Sequence, residues 1–505
     1  MLFNSYIFVF LFFPICLIGF YGLIHLQKNV AAKVFLIAMS LWFYGYFNLS
    51  YLLIMVCSIG ANYLFHRALS RKPQKAVMIL AVAANLGVLF YFKYFDFFLA
   101  AVNEIFNSSA TLRGILLPLG ISFFTFQQIS FIVDTYRGEV RDCPPVDYAL
   151  FVSFFPQLIA GPIVNHSEML PQFGQIGKKP VMWERISYGL GLFILGLAKK
   201  VLIADTFGAG VDYGYANLAL LGRMDAIIVI VSYSLQLYFD FSGYCDMARG
   251  IGMMLGIEIP VNFNSPYKAA NIIDFWKRWH ITLNRFFTKY VYIPLGGSRA
   301  GDARMYLNLM IVFLLSGLWH GAGWNNPVWG AMHGVLYVLT RMWQKNLKPH
   351  FDGEKTKAAL SEDSFLMRIR RIIMTCVSRM LLFAYVTVAW IYFRAADVAQ
   401  ANRMLYTAVK GPVQKISADL AACFQMDEFW YVIKVLRLDN MAYSRYILLW
   451  AVLAVGIYLS MIGRNAAERM ERAKYRMGSA AVFAALTLWC VLTFSKVSTF
   501  LYFNF

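Results

Sequence analysis

Apolar runs of about twenty residues recur from Tyr6 to Val497, and a run of that length crosses the hydrocarbon of a bilayer when wound as an α-helix. Lipid offers no partner to main-chain N–H and C=O groups, so such runs have to satisfy their own hydrogen bonds. Spans are predicted at 5–25, 33–47, 50–68, 76–101, 115–135, 186–206, 225–243, 305–319, 327–344, 373–393, 446–463 and 478–497. Of the 505 residues 60% are hydrophobic and only 14% charged, and no long polar linker interrupts them. The expected architecture is therefore all-α, a polytopic transmembrane helical bundle of about 11–13 helices forming a single integral membrane domain over 1–505. The run 6–24 lacks the basic region of a cleavable signal and reads as the first retained helix.

Two apolar stretches are too broken by Gly and Pro to cross simply: 147–164, with Pro156, Gly161 and Pro162, and 245–297. Non-helical backbone at membrane depth survives only where protein or a water-filled cavity covers it, so re-entrant or broken helices around an internal cavity are expected there. Orientation follows from Lys and Arg in the short loops. Arg67, Arg71, Lys72 and Lys75 follow the third span, whereas 103–109 after the fourth is nearly uncharged. That places the amino terminus outside and the basic loop 341–371 (Arg341, Lys345, Lys348, Lys355, Lys357, Arg368, Arg370, Arg371) in the cytoplasm, with 464–476 on the same side and Phe505 outside. The mixed segment 394–444, with Tyr406, Trp430 and Tyr431, is expected to hold amphipathic helices along the outer surface.

A net charge of +19 could suggest nucleic acid, but the cations sit in short patches beside apolar spans, where positive-inside bias and anionic headgroups account for them. No nucleic-acid partner is expected; the partner of this surface is the lipid bilayer. The seven cysteines (Cys16, Cys57, Cys143, Cys245, Cys376, Cys423, Cys490) are scattered and form no CxxC, which argues against a zinc site or a disulfide framework. They read as small core residues.

Trp279-His280 and Trp319-His320 stand in this apolar setting. An ionisable side chain at membrane depth faces a cavity or a partner, and it marks function by default. The stretch Asp274-Phe-Trp-Lys-Arg-Trp-His280-Ile-Thr-Leu-Asn284-Arg285 packs charge, aromatics and an imidazole together; if helical, it puts Trp276, His280 and Asn284 on one face. An interfacial helix with an aromatic belt would show the same pattern. His320, in Leu314-Leu-Ser-Gly-Leu-Trp-His-Gly-Ala-Gly-Trp324, has no charged companion. Gly317, Gly321 and Gly323 clear its surroundings for close helix packing or for a substrate chain. His333 follows one helix later and reads first as a core histidine hydrogen-bonded to a carbonyl. A neutral imidazole, with an ordinary pKa of about 6.5, can take a proton from a hydroxyl near neutral pH, the task of a general base. No GxSxG elbow offers a rival nucleophile, and Gly296-Gly297 lacks the lysine and spacing of a phosphate-binding loop. Asp240 and Asp246 need partners in so apolar a setting. Arg249, three residues after Asp246, allows an intrahelical pair, and Asp134 with Arg137 allows the same.

Taken in order, Pro118-Leu-Gly-Ile-Ser-Phe-Phe-Thr-Phe-Gln127, Phe154-Phe-Pro-Gln-Leu-Ile-Ala-Gly-Pro162, Gln236-Leu-Tyr-Phe-Asp-Phe-Ser-Gly-Tyr244, Phe275-Trp-Lys-Arg-Trp-His-Ile-Thr-Leu283, Tyr292-Ile-Pro-Leu-Gly-Gly297 and Gly317-Leu-Trp-His-Gly321 resemble the membrane-bound O-acyltransferases. The branch they resemble is that of bacterial polysaccharide O-acetylation, with alginate- and peptidoglycan-acetylating members. The resemblance implies a bundle around a central tunnel in the bacterial inner membrane, with an acyl thioester entering from the cytoplasm and the acceptor from outside. It implies His320 as the catalytic residue and His280 as the second polar position. Trp279, Trp319 and Asn284 are then candidate substrate contacts, and Lys277 and Arg278 candidates to attract the phosphates of coenzyme A. Acetyl-CoA is implied as donor substrate, with no permanently bound cofactor or metal. A polysaccharide acceptor and a secreted or membrane-anchored acetyltransferase partner on the outer side are implied too. Two alternatives stay open: a D-alanyl transferase of the teichoic acid type fed by a carrier protein, and a non-enzymatic transporter or flippase, against which the lack of an internal repeat counts. Faces rich in Phe and Leu suit lipid or a second copy of the chain equally, so a homo-oligomer is also open.

Overall fold

The computed structural model describes residues 1–178, 180–347, 365–426, 431, 433–437, 443–472, 477–496 and 500–501. Lys348, Lys355 and Lys357 of the basic loop, together with Trp430, Arg476 and Phe505, lie outside the described residues. Among the described residues all regular structure is helical. Helices stand at each apolar run: Phe13–His25 (continuing the π-turn Phe8–Phe12), Asn29–Gly45, Leu49–Arg71, Lys75–Lys93, Ile121–Tyr136, Trp183–Ala198, Arg223–Met254, Asp302–His320, Asn325–Met342, Phe365–Arg394, Ser444–Met461 and Met477–Leu492. Among the described residues, seven helical segments are long and apolar enough to cross a membrane on length and composition. The chain is a multi-pass membrane protein.

The run 76–101 is two helices, not one. Lys75–Lys93 ends at Tyr94 and Phe95–Phe106 begins anew. Asp96, in the first turn of the second helix, accepts main-chain N–H groups from Arg113 (2.9 Å) and Ile115 (3.0 Å), which ties the start of that helix to the segment that follows it. The two stretches predicted to be broken are broken. Residues 145–173 form Pro145–Ser153, Phe155–Leu158 and His166–Phe173, and 255–292 form irregular backbone followed by Ile272–Arg278, Ile281–Phe287 and a π-turn at Thr288–Tyr292. Val398–Lys410 is amphipathic: Ala401 and Met404 are fully buried while Tyr406 and Val409 are exposed. Cysteine burial is mixed. Cys16, Cys143, Cys245 and Cys490 are buried, but Cys57 and Cys376 are exposed on helices long and apolar enough to cross a membrane.

The described chain forms two compact units, one of 1–202, 240–262 and 466–505, the other of 203–239 and 263–465. In the first, helices 183–198 and 223–254 meet through glycines seven residues apart on each. A Cβ on Gly189 would lie 2.6 Å from the Gly250 carbonyl oxygen, and one on Gly196 would lie 2.6 Å from that of Gly243. Small residues at such a spacing let main chains approach in lipid. The same crossing carries two ion pairs, Lys199–Asp246 (2.6 Å) and Lys200–Asp240 (2.7 Å). Asp246 thus pairs with Lys199 across the crossing and not with Arg249 within its helix. Asp240 also accepts the Leu501 N–H at 2.9 Å, while Asp134 lies 3.9 Å from Arg137 and 3.2 Å from His166 Nδ1.

In the second unit, helices 302–320 and 325–342 form an antiparallel hairpin closed by the turn 321–324. Gly317 and Gly330 set its spacing: a Cβ at Gly317 would collide with the Asn326 carbonyl oxygen, and one at Gly330 with that of Phe313. At the other end Lys345 bonds Asp302. This hairpin carries His320 and His333.

Candidate active site

His320 is the last residue of helix 302–320, only 3% exposed. The next residue, Gly321, is extended, so the helix stops with its imidazole facing an aromatic shell. Ring centroids of Trp319, Trp329 and Phe393 lie at 4.8, 5.1 and 5.0 Å. His280 comes to the same place from a distant part of the sequence: its ring centroid is 6.4 Å from that of His320 and 6.2 Å from Trp319, and its side chain is fully buried. The two imidazoles singled out in the sequence are therefore brought together within one unit.

The way His280 arrives differs from a continuous helix. Helix 272–278 stops at Trp279, His280 takes a left-handed conformation (φ 46°, ψ 51°), and helix 281–287 restarts after it. Histidine is among the few non-glycine residues that tolerate this region. The break exposes carbonyls, and Asn284 repairs it: its Nδ2 donates to the Trp276 carbonyl (2.5 Å) and the Trp279 carbonyl (2.9 Å). Trp276 and Asn284 do meet, but across a kink and through the main chain. Asn284 braces the turn that holds His280.

The remaining candidates separate. Trp279 is 1% exposed and packs against Phe263 (5.0 Å), Phe275 (5.6 Å) and Trp390 (4.9 Å), a core position behind the imidazole that follows it. Trp319 lies directly against both histidines. Lys277 is exposed. Arg278 is half-buried, and its Nε donates to Asp274 at 2.9 Å, so that part of its fork is committed to its own helix.

Position 333 departs from expectation. His333 is fully buried, as a core histidine should be, yet neither ring nitrogen has a hydrogen-bond partner among the described residues. The carbonyl expected for it is not there.

Sequence reading missed three parts of the shell. Trp329 lies between the imidazoles of His320 and His333, at 5.1 and 4.9 Å. Trp390, from helix 365–394, closes on Trp279, Trp329 and His333 at 4.9, 5.6 and 5.8 Å. Asn325 and Asn326 open helix 325–342. Asn325 Nδ2 donates to the carbonyls of Tyr392 (3.0 Å) and Ala395 (2.8 Å), tying the turn after His320 to the next helix, and Asn326 lies against Gly321. Two asparagines heading an apolar helix were the available signal. Elsewhere, in the first unit, donor atoms of Asp134, Glu139 and His166 lie within 4.8 Å of one another.

Two buried, closely spaced imidazoles in an aromatic shell, one at a helix end and one at a kink, can accept and relay a proton away from bulk water. The sequence matches the model of the membrane-bound O-acyltransferase family over residues 88–384. It is similar to a peptidoglycan O-acetyltransferase of Helicobacter pylori, 42% identical, covering 80% of this chain and 79% of the relative. It is similar also to a probable alginate O-acetylase of Pseudomonas aeruginosa, 36% identical over 80% and 74% of the two chains. A teichoic acid D-alanyltransferase of Lacticaseibacillus rhamnosus matches at 25% identity over 65% and 82%.

Proposed function

The chain belongs to the membrane-bound O-acyltransferase family and is an O-acyltransferase, and on that premise we propose that it passes an acetyl group from a cytoplasmic thioester, acetyl-CoA, across the membrane to an acceptor hydroxyl, for O-acetylation of an extracytoplasmic polysaccharide. The observation that carries this reading is the pairing of buried His320 with His280 at 6.4 Å between ring centroids. In the step, His320 takes the proton of the acceptor hydroxyl as its oxygen forms a bond to the thioester carbonyl carbon. The carbon–sulfur bond then breaks, and the thiolate leaves and receives the proton from His320. His280, or a main-chain N–H at the Trp279–His280 turn, stabilises the oxyanion that forms in between. A separate partner on the outer side, secreted or membrane-anchored, completes delivery to the polymer, and the inner membrane of a bacterium is where these substrates meet.

Acetyl is favoured over D-alanyl because the relatives with acetyl-transferring names share 42% and 36% identity, against 25% for the D-alanyl relative. The test is release of free thiol from acetyl-CoA by purified protein in detergent. Wild type is expected to turn over and His320→Ala to lose about 10²–10⁴-fold, the usual range for a general base. Equal turnover in both removes His320 from the mechanism.

A further inference from the structure

A cavity of about 390 Å³ lies in the first unit, which holds neither His280 nor His320. Three helix ends meet around it: the last turns of helix 13–25, the first turn of helix 183–198 and the end of helix 223–254, with the segment 171–182 along its remaining side. Arg185 and Glu258 are the charged residues among the described residues that line it, and Arg185 Nη2 lies 2.8 Å from Glu258 Oε1. Arg185 Nε is buried and has no hydrogen-bond partner among the described residues. A guanidinium carries five N–H donors, so the pair with Glu258 leaves donors for a second anion. The surrounding frame is fixed by hydrogen bonds. Gln172 Nε2 donates to the Glu258 carbonyl at 3.0 Å and its Oε1 accepts the Glu258 N–H at 2.7 Å, while the Tyr21 hydroxyl donates to the Met254 carbonyl at 2.6 Å. A preformed hollow with a few convergent polar groups is the usual form of a ligand site.

The walls and the charges say which ligand. Phe20, Ile24 and Ile186 make the lining apolar, and at the edge Val181, Met182 and Trp183 are 41, 50 and 74% exposed. A water-soluble ligand would leave that apolar edge uncovered, whereas lipid tails would cover it. The two lining charges cancel, so the cavity offers a simple anion no net attraction, but a ligand carrying both signs finds a partner for each. Helix 183–198 begins here without a side-chain cap, and the N–H groups of a helix start favour a phosphate. We propose that this cavity binds the headgroup of a zwitterionic phospholipid with a primary ammonium. Its phosphate rests on the Arg185 guanidinium and the start of helix 183–198, its ammonium donates to the Glu258 carboxylate, and its tails run along 181–183. On the orientation expected from the basic connections, helix 13–25 ends at the cytoplasmic face, so the lipid belongs to the cytoplasmic leaflet. There it ties three spans together at one level of the membrane.

The experiment titrates the full chain, stripped of lipid in detergent, with dioleoyl phosphatidylethanolamine, with dioleoyl phosphatidylglycerol and with the tail-less glycerophosphoethanolamine. Bound molecules are counted by native mass spectrometry for wild type, Arg185→Gln and Glu258→Gln, and thermal unfolding of each is recorded without lipid. An exposed ion pair adds little to stability, so both variants are expected to unfold close to wild type. Wild type is expected to bind the ethanolamine lipid about tenfold more tightly than the glycerol lipid, the worth of one charge-assisted hydrogen bond. Arg185→Gln is expected to weaken both lipids by about tenfold, since both carry the phosphate. Glu258→Gln is expected to bind both lipids and to lose the preference between them. Equal binding of the two lipids by wild type overturns the zwitterionic ligand, and unchanged binding by a folded Arg185→Gln overturns the site. A tail-less headgroup bound as tightly as the ethanolamine lipid makes the ligand a soluble phosphodiester and overturns the lipid. If Arg185→Gln does not fold, Glu258→Gln decides alone: a preference kept in that variant overturns the proposal.

Discussion

At the scale of single residues, the two histidines are held by different means, and substitution should separate them. His320 stands at the end of a regular helix and can be replaced without main-chain consequence. His280 sits at φ 46°, where a residue without glycine's freedom is strained by about 1–3 kcal/mol unless its type tolerates the region. Asparagine does tolerate it and valine does not. His280→Asn should therefore keep its unfolding temperature while losing turnover by about 10²-fold, the scale of one lost oxyanion donor. His280→Val should lose stability as well, by about 1–3 kcal/mol. Thermal unfolding and thiol release on the same preparations check both, and an asparagine variant with wild-type turnover would exclude His280 from the chemistry. Asn284 belongs to this account as a brace. With Ala at this position the Trp276 and Trp279 carbonyls lose their side-chain donor, and the expected cost is about 1–3 kcal/mol of stability.

At the scale of elements, the helices were legible because lipid enforces one solution for a long apolar run, and the pairing of His280 with His320 was foreshadowed by their shared Trp-His setting. The kink was not. The 3.6-residue pattern of Trp276, His280 and Asn284 runs unbroken through the turn, and an αL residue leaves no trace in hydropathy. Nor was the partner of Asp246 legible: Arg249 is near in sequence, but Lys199 becomes near only once glycines seven residues apart let helices 183–198 and 223–254 touch. That contact makes its own prediction. Gly196→Ala and Gly250→Ala place a Cβ 2.6 and 2.5 Å from main-chain carbonyl oxygens, which cannot swing aside as a flexible side chain can, so each should destabilise by about 1–3 kcal/mol. Gly60 and Gly87 lie on the exposed parts of helices 49–71 and 75–93 with nothing within 4 Å of an added Cβ. There the same change should be neutral or stabilising by up to about 1 kcal/mol through helix propensity. Thermal unfolding of the variants decides it, and a uniform response across all of them would refute close packing at the crossing.

At the scale of the whole molecule, the proposed transfer, from a donor on one side to an acceptor on the other, requires an oriented chain, and the excess of cations predicts the orientation. A net charge of +19 is spread unevenly over the connections. Lys72 and Lys75 follow helix 49–71, and Arg341 and Lys345 close helix 325–342, while Asn107 to Ser109 carry no charge. Each cation moved across the membrane is penalised during insertion, so the basic connections are expected in the cytoplasm. In a background freed of the native cysteines, Lys72→Cys and Lys345→Cys should react with a membrane-impermeant maleimide only in inverted vesicles, and Ser109→Cys only in intact cells. All three positions are exposed, so failure to label reports sidedness and not burial. The orientation has a consequence for activity: acetyl-CoA added outside should be consumed by inverted vesicles and ignored by right-side-out ones. Labelling as stated with consumption reversed would mean that the thioester enters from the side opposite the cations, and the cytoplasmic donor of the proposed reaction would fall with it.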